Sequence, residues 1–330
     1  MNNSERLVFA VQKKAVDRPP VAGPMVSISQ ELMDRVEVHL PAAHLDAKLM
    51  AKLSAAAAEL CGLESLKLPF DLMVEVEALG GDIDFGDDTT LPKLRQPFLS
   101  NQADLNIPAD VMSLKRVPLI LEAIGECRGR YGGAIPVISS IVGPYTLAGY
   151  IFGLQKVMMW MLADASAYAT IMDKLTELAI QYAQAQFAAG AHVVQAADPM
   201  ASGDLISPNH YASFVAPYHR KLFASFKGPS ILHICGKITG HLPHIAETGV
   251  NGLSFDEKTD ISAASDFKDK IALIGFVPTS ILQKGDPETV RLHSERCLQA
   301  GVDILSAGCA LHLETPIANI RAMVQSVQRI

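Results

Sequence analysis

Cysteine is scarce: five thiols are scattered over 330 residues. An odd number at wide spacing excludes the dense disulfide framework of a small secreted domain and leaves them as free thiols or metal ligands in a reducing compartment. An excess of positive charge is also missing. Lys and Arg number 28 against 35 Asp and Glu, a formal net charge of −7, and no run of five basic residues occurs. Nothing here tracks a phosphate backbone, so nucleic acid is excluded as a partner. The opening segment MNNSERLVFAVQKKAVDRPP has no apolar stretch of signal-peptide length before charge resumes, and a cytoplasmic location is expected. Linkers rich in Gly, Ser or Pro, charge blocks and fixed-period repeats are absent, so residues 1–330 read as a single domain. No G-x-G-x-x-G or P-loop sequence is present, as a nucleotide-binding open sheet would usually carry.

What the chain does have is apolar residues, 49% of the total, arranged as short β-branched runs followed by longer segments of helical periodicity. That is the pattern of βα units around a buried parallel sheet. The clearest runs are 136–142, 191–197 (AHVVQAA), 230–235 (SILHIC), 251–255 (NGLSF), 271–277 (IALIGFV) and 302–306 (VDILS). Weaker candidates at 21–26 and 65–70 bring the count to eight, the number that closes a barrel. The expected fold is therefore α/β, a (β/α)8 TIM barrel with an N-terminal extension. Helical patterns cover 47–60, 166–188, 209–226, 287–300 and 317–327, with Ser207-Pro208 as a helix start and Gly190 and Gly301 as helix stops. Residues 131–155 are uncharged, long enough to span a bilayer, but they contain five glycines and two prolines. Pro136 and Pro144 divide them into a strand, a turn and a helix start, so no membrane association is expected.

His233 and Cys235 are two apart in SILHIC, and on a strand residues i and i+2 share a face. Cys309 follows the last strand in ILSAGC, and the loops after barrel strands gather at one end around one pocket. Three metal donors can converge there, and a His with two thiolates and an open position suits catalytic zinc. A buried Cys acting as a small hydrophobe beside a core His accounts for the same spacing. Glu257, just past NGLSF, could supply an oxygen ligand, or belong to a solvated charge run. His241 and His244 read as a surface helix, and Cys61, Cys127 and Cys297 as structural thiols. The acidic stretch 80–88 (GGDIDFGDD) reads as a solvated turn. Asp198 and Ser202 are catalytic candidates at the rim, with Asp204 and Tyr145 as candidates for cofactor contact; a helix-capping loop explains the first three equally well.

These residues, with VDRPPV from Val16, VEALGGDIDFG from Val76, GPYTLAG from Gly143, ADPMASGDLISP from Ala197, ILHICG from Ile231, SFDEK from Ser254 and SAGCALHLETPIANI from Ser306, resemble the uroporphyrinogen decarboxylase-like superfamily, and within it the methylcobalamin:coenzyme M methyltransferases of methanogens. The resemblance spans nearly the whole chain. It implies zinc bound by His233, Cys235 and Cys309, with Glu257 as an exchangeable fourth ligand. The implied reaction moves a methyl group from methylcobalamin, carried by a separate methylated corrinoid protein, to a zinc-bound thiol such as coenzyme M. The decarboxylase branch carries arginines soon after D-R-P-P, whereas residues 19–34 have none, which weighs against decarboxylation. A different acceptor, another thiol or tetrahydrofolate, is the remaining alternative. The sequence departs from the methyltransferases at Ala310, where they often have Gly.

Overall fold

In the computed structural model, which describes residues 1–329, the expected strands become a curled, fully parallel sheet of seven. They are β1 (Leu66–Leu68), β2 (Val137–Val142), β3 (Val193–Ala197), β4 (Ser230–His233), β5 (Gly252–Ser254), β6 (Ala272–Val277) and β7 (Ile304–Ala307), paired in chain order. The run at 21–26 corrects the expectation of eight strands. It contributes one parallel bridge, Val21 to Leu305, in which Leu305 N–H donates to Pro20 O and Ala22 N–H to Leu305 O. Proline confines it: Pro19, Pro20 and Pro24 have no N–H to donate to a ladder, so pairing cannot extend. On its other side, Glu64 N–H donates to Val21 O just before β1.

Helices follow the strands. Ala47–Cys61, Val117–Tyr131, Ala165–Ala189 and Pro287–Gln299 are the long ones. The 15-residue helix Ala47–Cys61 starts at Asp46, whose carboxylate accepts from Lys48 and Leu49 N–H, and stops at left-handed Gly62, as glycine without a Cβ permits. The uncharged stretch 131–155 resolves into β2, the helix Pro144–Phe152 and the start of Leu154–Ala163. Among the described residues no helix is long and apolar enough to cross a membrane.

Alternation along the strands builds the interior in layers. Ile138, Val193, Ile231, Ile274 and Ile304, one from each of five strands, pack with Ala22 into a cluster at the amino ends. Burying each such side chain is worth about 1.5–3 kcal/mol. The N-terminal residues do not form a loose extension: the helix Asn3–Val11, started by an Asn2–Glu5 capping box, places Leu7, Ala10 and Val11 in the same cluster and stoppers that mouth. Arg6 pairs with Asp17 and Glu64, and Arg18 also with Glu64, so VDRPPV serves this seam. Two residues further along, the same face turns polar on four of these strands, at Ser140, Gln195, His233 and Ser306, with Ser254 of β5 beside them, while β6 presents Phe276.

Candidate metal centre

On β4 the apolar layer takes Ile231, and the same face next presents His233 and then Cys235 beyond the strand end. Cys309 arrives from the end of β7 through Gly308. The donor atoms of His233, Cys235 and Cys309 all lie within 4.8 Å of one another, with Cys309 Sγ 3.8 Å from His233 Nε2. Around a tetrahedral zinc with Zn–S near 2.3 Å and Zn–N near 2.0–2.1 Å, such pairs stand about 3.5–3.8 Å apart. The donor set and its spacing thus fit a zinc ion. The closeness of the two sulfurs acts on their titration: interaction with Cys235 holds the Cys309 thiol below its ordinary range, against the effect of burial. The same interaction, then burial, pushes Cys235 well up. A cation placed between them would remove this conflict by stabilising both thiolates.

Neighbouring strands fix the ligands. His233 lies in register with Ser254 on β5, whose Oγ is 3.0 Å from His233 Nδ1; this leaves Nε2 facing the sulfurs. Gly236 takes φ +89°, and a Cβ there would meet Ser202 Oγ at 2.3 Å and Asp204 Oδ2 at 2.5 Å. Asp256 accepts from Gly236 N–H at 2.8 Å, and Thr259 Oγ1 donates to Gly236 O at 3.0 Å. The turn after Cys235 is therefore pinned on both sides. Ser254, Asp256 and Thr259 were invisible as functional residues in the sequence, where only the SFDEK resemblance touched the first two.

Glu257 stands at the edge of this group. It is exposed and outside the three-residue cluster, but its Oε2 sits 3.3 Å from where a Gly308 Cβ would be, next to Cys309. Ser202 and Asp204 press on Gly236 as described, Ser202 buried and Asp204 exposed. Asp198 is fully buried and its carboxylate is occupied. It accepts from Tyr145 N–H (3.3 Å), Thr146 N–H (2.7 Å), Thr146 Oγ1 (2.6 Å) and His219 Nε2 (2.9 Å), and His219 Nδ1 meets Tyr211 OH at 2.9 Å. Tyr145 is also fully buried, with a hydroxyl that has no partner and is held protonated by burial and by Asp198.

His241 corrects its expectation: it is 1% exposed, not on a surface helix, because its ring packs 4.8 Å from that of Tyr211. Cys61, Cys127 and Cys297 are buried free thiols, pushed up to about 11, 12 and 11 by burial, inert as expected. The acidic stretch corrects its expectation in part: Ile83–Asp84 is a strand paired antiparallel with Lys93–Leu94, with Ile83 buried, and only its far end is a turn, in which Asp87 Oδ1 accepts from Thr89 and Thr90.

A cavity of ≈190 Å³ opens beside the cluster, lined in part by Met25, Lys67, Phe70, Ser140, Tyr150 and Ala310. Ala310 follows Cys309, and Ala197, also in the lining, pairs with His233 across the ladder. Lys67 is 4% exposed; its Nζ donates to Ser140 Oγ at 2.6 Å, with Leu68 O and Pro69 O at 3.4 and 3.5 Å. Burial lowers it to about 7 against the pull of Asp71 and Glu75. Asp71 lines the cavity but turns its carboxylate to Arg116 (2.8 and 3.1 Å) and Met73 N–H (2.8 Å), with His44 Nδ1 at 3.3 Å. Glu75 accepts from Val142 N–H at 2.7 Å and is raised by burial to about 7.

A family model described as uroporphyrinogen decarboxylase (URO-D) matches residues 2–330. The methylated-thiol–coenzyme M methyltransferase of Methanosarcina mazei is 34% identical over 327 residues, covering 99% of this chain and 89% of that protein. The methylcobamide:CoM methyltransferase MtaA of Methanosarcina barkeri is 36% identical over 325 residues, covering 97% and 95%. A solved methyltransferase from Methanosarcina mazei superposes with a TM-score of 0.96 at 32% identity, covering 100% of this chain and 99% of that one.

Proposed function

The chain belongs to the uroporphyrinogen decarboxylase (URO-D) family, and from that premise we propose that it is a methyltransferase carrying a methyl group from a methylated corrinoid protein to the thiol of coenzyme M. One observation carries the reading: the donors of His233, Cys235 and Cys309 lie within 4.8 Å of one another, and Ala310 and Ala197, neighbours of Cys309 and His233 in chain and sheet, line a cavity of ≈190 Å³. That volume is below the roughly 300–1,000 Å³ of pockets for drug-sized ligands. It suits a small thiol better than a folate or a tetrapyrrole, and so favours coenzyme M over the alternatives. The relatives named for coenzyme M point the same way. The fold is read as a (β/α)8 barrel whose first position is reduced to the Val21 bridge, working in the cytoplasm.

Zinc bound there would hold the substrate sulfur as a thiolate at neutral pH, where a free thiol is mostly protonated. The chain's residues do the rest. His233, Cys235 and Cys309 converge on one point, and Ser254 fixes the imidazole so that Nε2 faces it. Two thiolates among the ligands keep a neighbouring sulfur electron-rich. Glu257, beside Gly308, is placed to complete the ligand set until substrate arrives. The aliphatic and aromatic lining, Met25, Phe70 and Ala310, excludes water from the sulfur. A methyl–cobalt(III) corrinoid would supply the methyl carbon and leave as cobalt(I) with the bond's electrons, the sulfur's electron pair taking their place, while the thiol proton would go to solvent. Asp198 acts as a positioning residue, holding the helix Pro144–Phe152 against β3. The corrinoid protein would dock on the carboxyl-end rim, near Asp204.

Elemental analysis for zinc, with an absorbance assay of methylcobalamin demethylation by coenzyme M, tests this on the wild type and Cys309→Ala. One zinc per chain with thiol-dependent cobalt(I) formation, both lost in the variant, supports it. A wild type without zinc, or one that carries zinc but leaves methylcobalamin intact at saturating thiol, overturns it.

A further inference from the structure

Lys67 is a buried amine that the fold alone does not account for. Its Nζ has no carboxylate within ion-pair distance among the described residues, although an unpaired buried charge is costly, and a methionine would fill the same space. The acid nearest in the lining, Asp71, is taken up by Arg116 and His44. Ser140 Oγ accepts from Lys67, which leaves its O–H free to donate, so an ammonium and a hydroxyl converge on the same cavity wall. The same lining includes the small side chains Ala197 and Ala310; Ala310 follows Cys309 in the chain, and Ala197 pairs with His233 across the ladder. A small molecule in the cavity can therefore meet the Lys67 amine on one part of the lining and, on another, two residues that adjoin the His–Cys–Cys cluster.

We propose that Lys67, with Ser140, is the anion receptor of the substrate pocket: it takes the negatively charged head, a sulfonate, of a small thiol whose sulfur reaches His233, Cys235 and Cys309. This rests on the reading of the cluster as a thiol-activating site. It identifies how the pocket chooses its substrate, since a neutral thiol of the same length leaves the ammonium buried without a counter-ion. Charge-assisted hydrogen bonds of this kind are the strong ones.

Calorimetric titration of the zinc-loaded protein with mercaptoethanesulfonate, 2-mercaptoethanol and ethanesulfonate tests it, in the wild type, Lys67→Met and Lys67→Arg. In the wild type, ethanesulfonate should bind and compete with mercaptoethanesulfonate. Lys67→Met should weaken mercaptoethanesulfonate at least tenfold relative to 2-mercaptoethanol, about 1.4 kcal/mol, and Lys67→Arg should restore part of that preference. An unchanged preference in Lys67→Met, or a wild type indifferent to ethanesulfonate, would overturn the assignment; the second result needs no variant to fold. No methyl donor is present in these titrations. Sulfonate binding lost in Lys67→Met but no demethylation of methylcobalamin would keep the receptor and sink the methyl-transfer reading, whereas demethylation with an unaltered thiol preference would sink the receptor alone.

Discussion

Ser254→Ala deletes one buried hydroxyl, and its effect should be read in metal affinity more than in folding. The Oγ is 3.0 Å from His233 Nδ1, while Nε2 is the nitrogen that faces Cys309 Sγ at 3.8 Å. With Nε2 turned to a metal, Nδ1 carries the ring proton and donates it to Oγ, which fixes both the tautomer and the ring plane. Losing such an outer partner costs about 10–100-fold in metal affinity, or about 1.4–2.7 kcal/mol. The metal-free chain loses only one neutral hydrogen bond, about 0.5–1.5 kcal/mol. A chromophoric chelator in competition gives the zinc dissociation constant, and melting with and without zinc separates the two effects. Because a ligand stabilises by RT ln(1 + [L]/Kd), the zinc-dependent gain should shrink by the same amount at fixed free zinc. That corresponds to roughly 2–4 °C per kcal/mol in a chain of this order of size. An unchanged dissociation constant would refute the reasoning, as would a stripped variant that loses as much stability as the loaded one.

Asp198→Asn places an amide among four donors and should cost about 3–5 kcal/mol, seen as a lower urea midpoint with zinc stoichiometry intact; zinc loss at an unchanged midpoint would instead make Asp198 part of the metal site. Glu75, raised by burial from its ordinary 4.5 to about 7, releases its proton in the unfolded chain first. Its contribution is fully present below about pH 4.5 and lost by about pH 7, so stability falls across that window. Glu75→Gln keeps the oxygen that accepts from Val142 and should therefore be more stable than the wild type at pH 8, by up to about 3 kcal/mol, and no more stable at pH 4.5. Urea titrations at the two values check it, and an equal difference at both would show that the charge is not the cause.

Strand positions and the convergence of His233 with Cys235 were legible because alternation is local: SILHIC alone puts Ile231, His233 and Cys235 on one face, and Gly236 marks the end. The eighth strand was misjudged because 21–26 has the right apolar composition while prolines at 19, 20 and 24 remove its donors. What lies beside a ligand depends on register between strands, which no single segment encodes. Ser254 reaches His233 only because β4 and β5 pair His233 with Ser254. Lys67 in LKLPF reads as an ordinary lysine near a weak strand; only closure of β1 on β2 buries it. His241 looked superficial because its burial comes from Tyr211, thirty positions away. Asp198 was left between capping and catalysis, and its four donors come from two separate helices.

The seam between the first and last segments of the curled sheet has a consequence for how the protein is made. Lys13 reaches Asp303 and Glu31 reaches Ile317 N–H, partners 290 and 286 positions apart, and Val21 finds Leu305 only when β7 exists. Cys309 sits at that same seam. A chain still being synthesised, or one cut short before residue 309, can form β1 to β6 and present His233 with Cys235, but it has neither the closing strand nor the third donor. Zinc held as proposed above would then depend on β7 as much as on β4, so a metal-loaded copy would be one whose last strand has already docked.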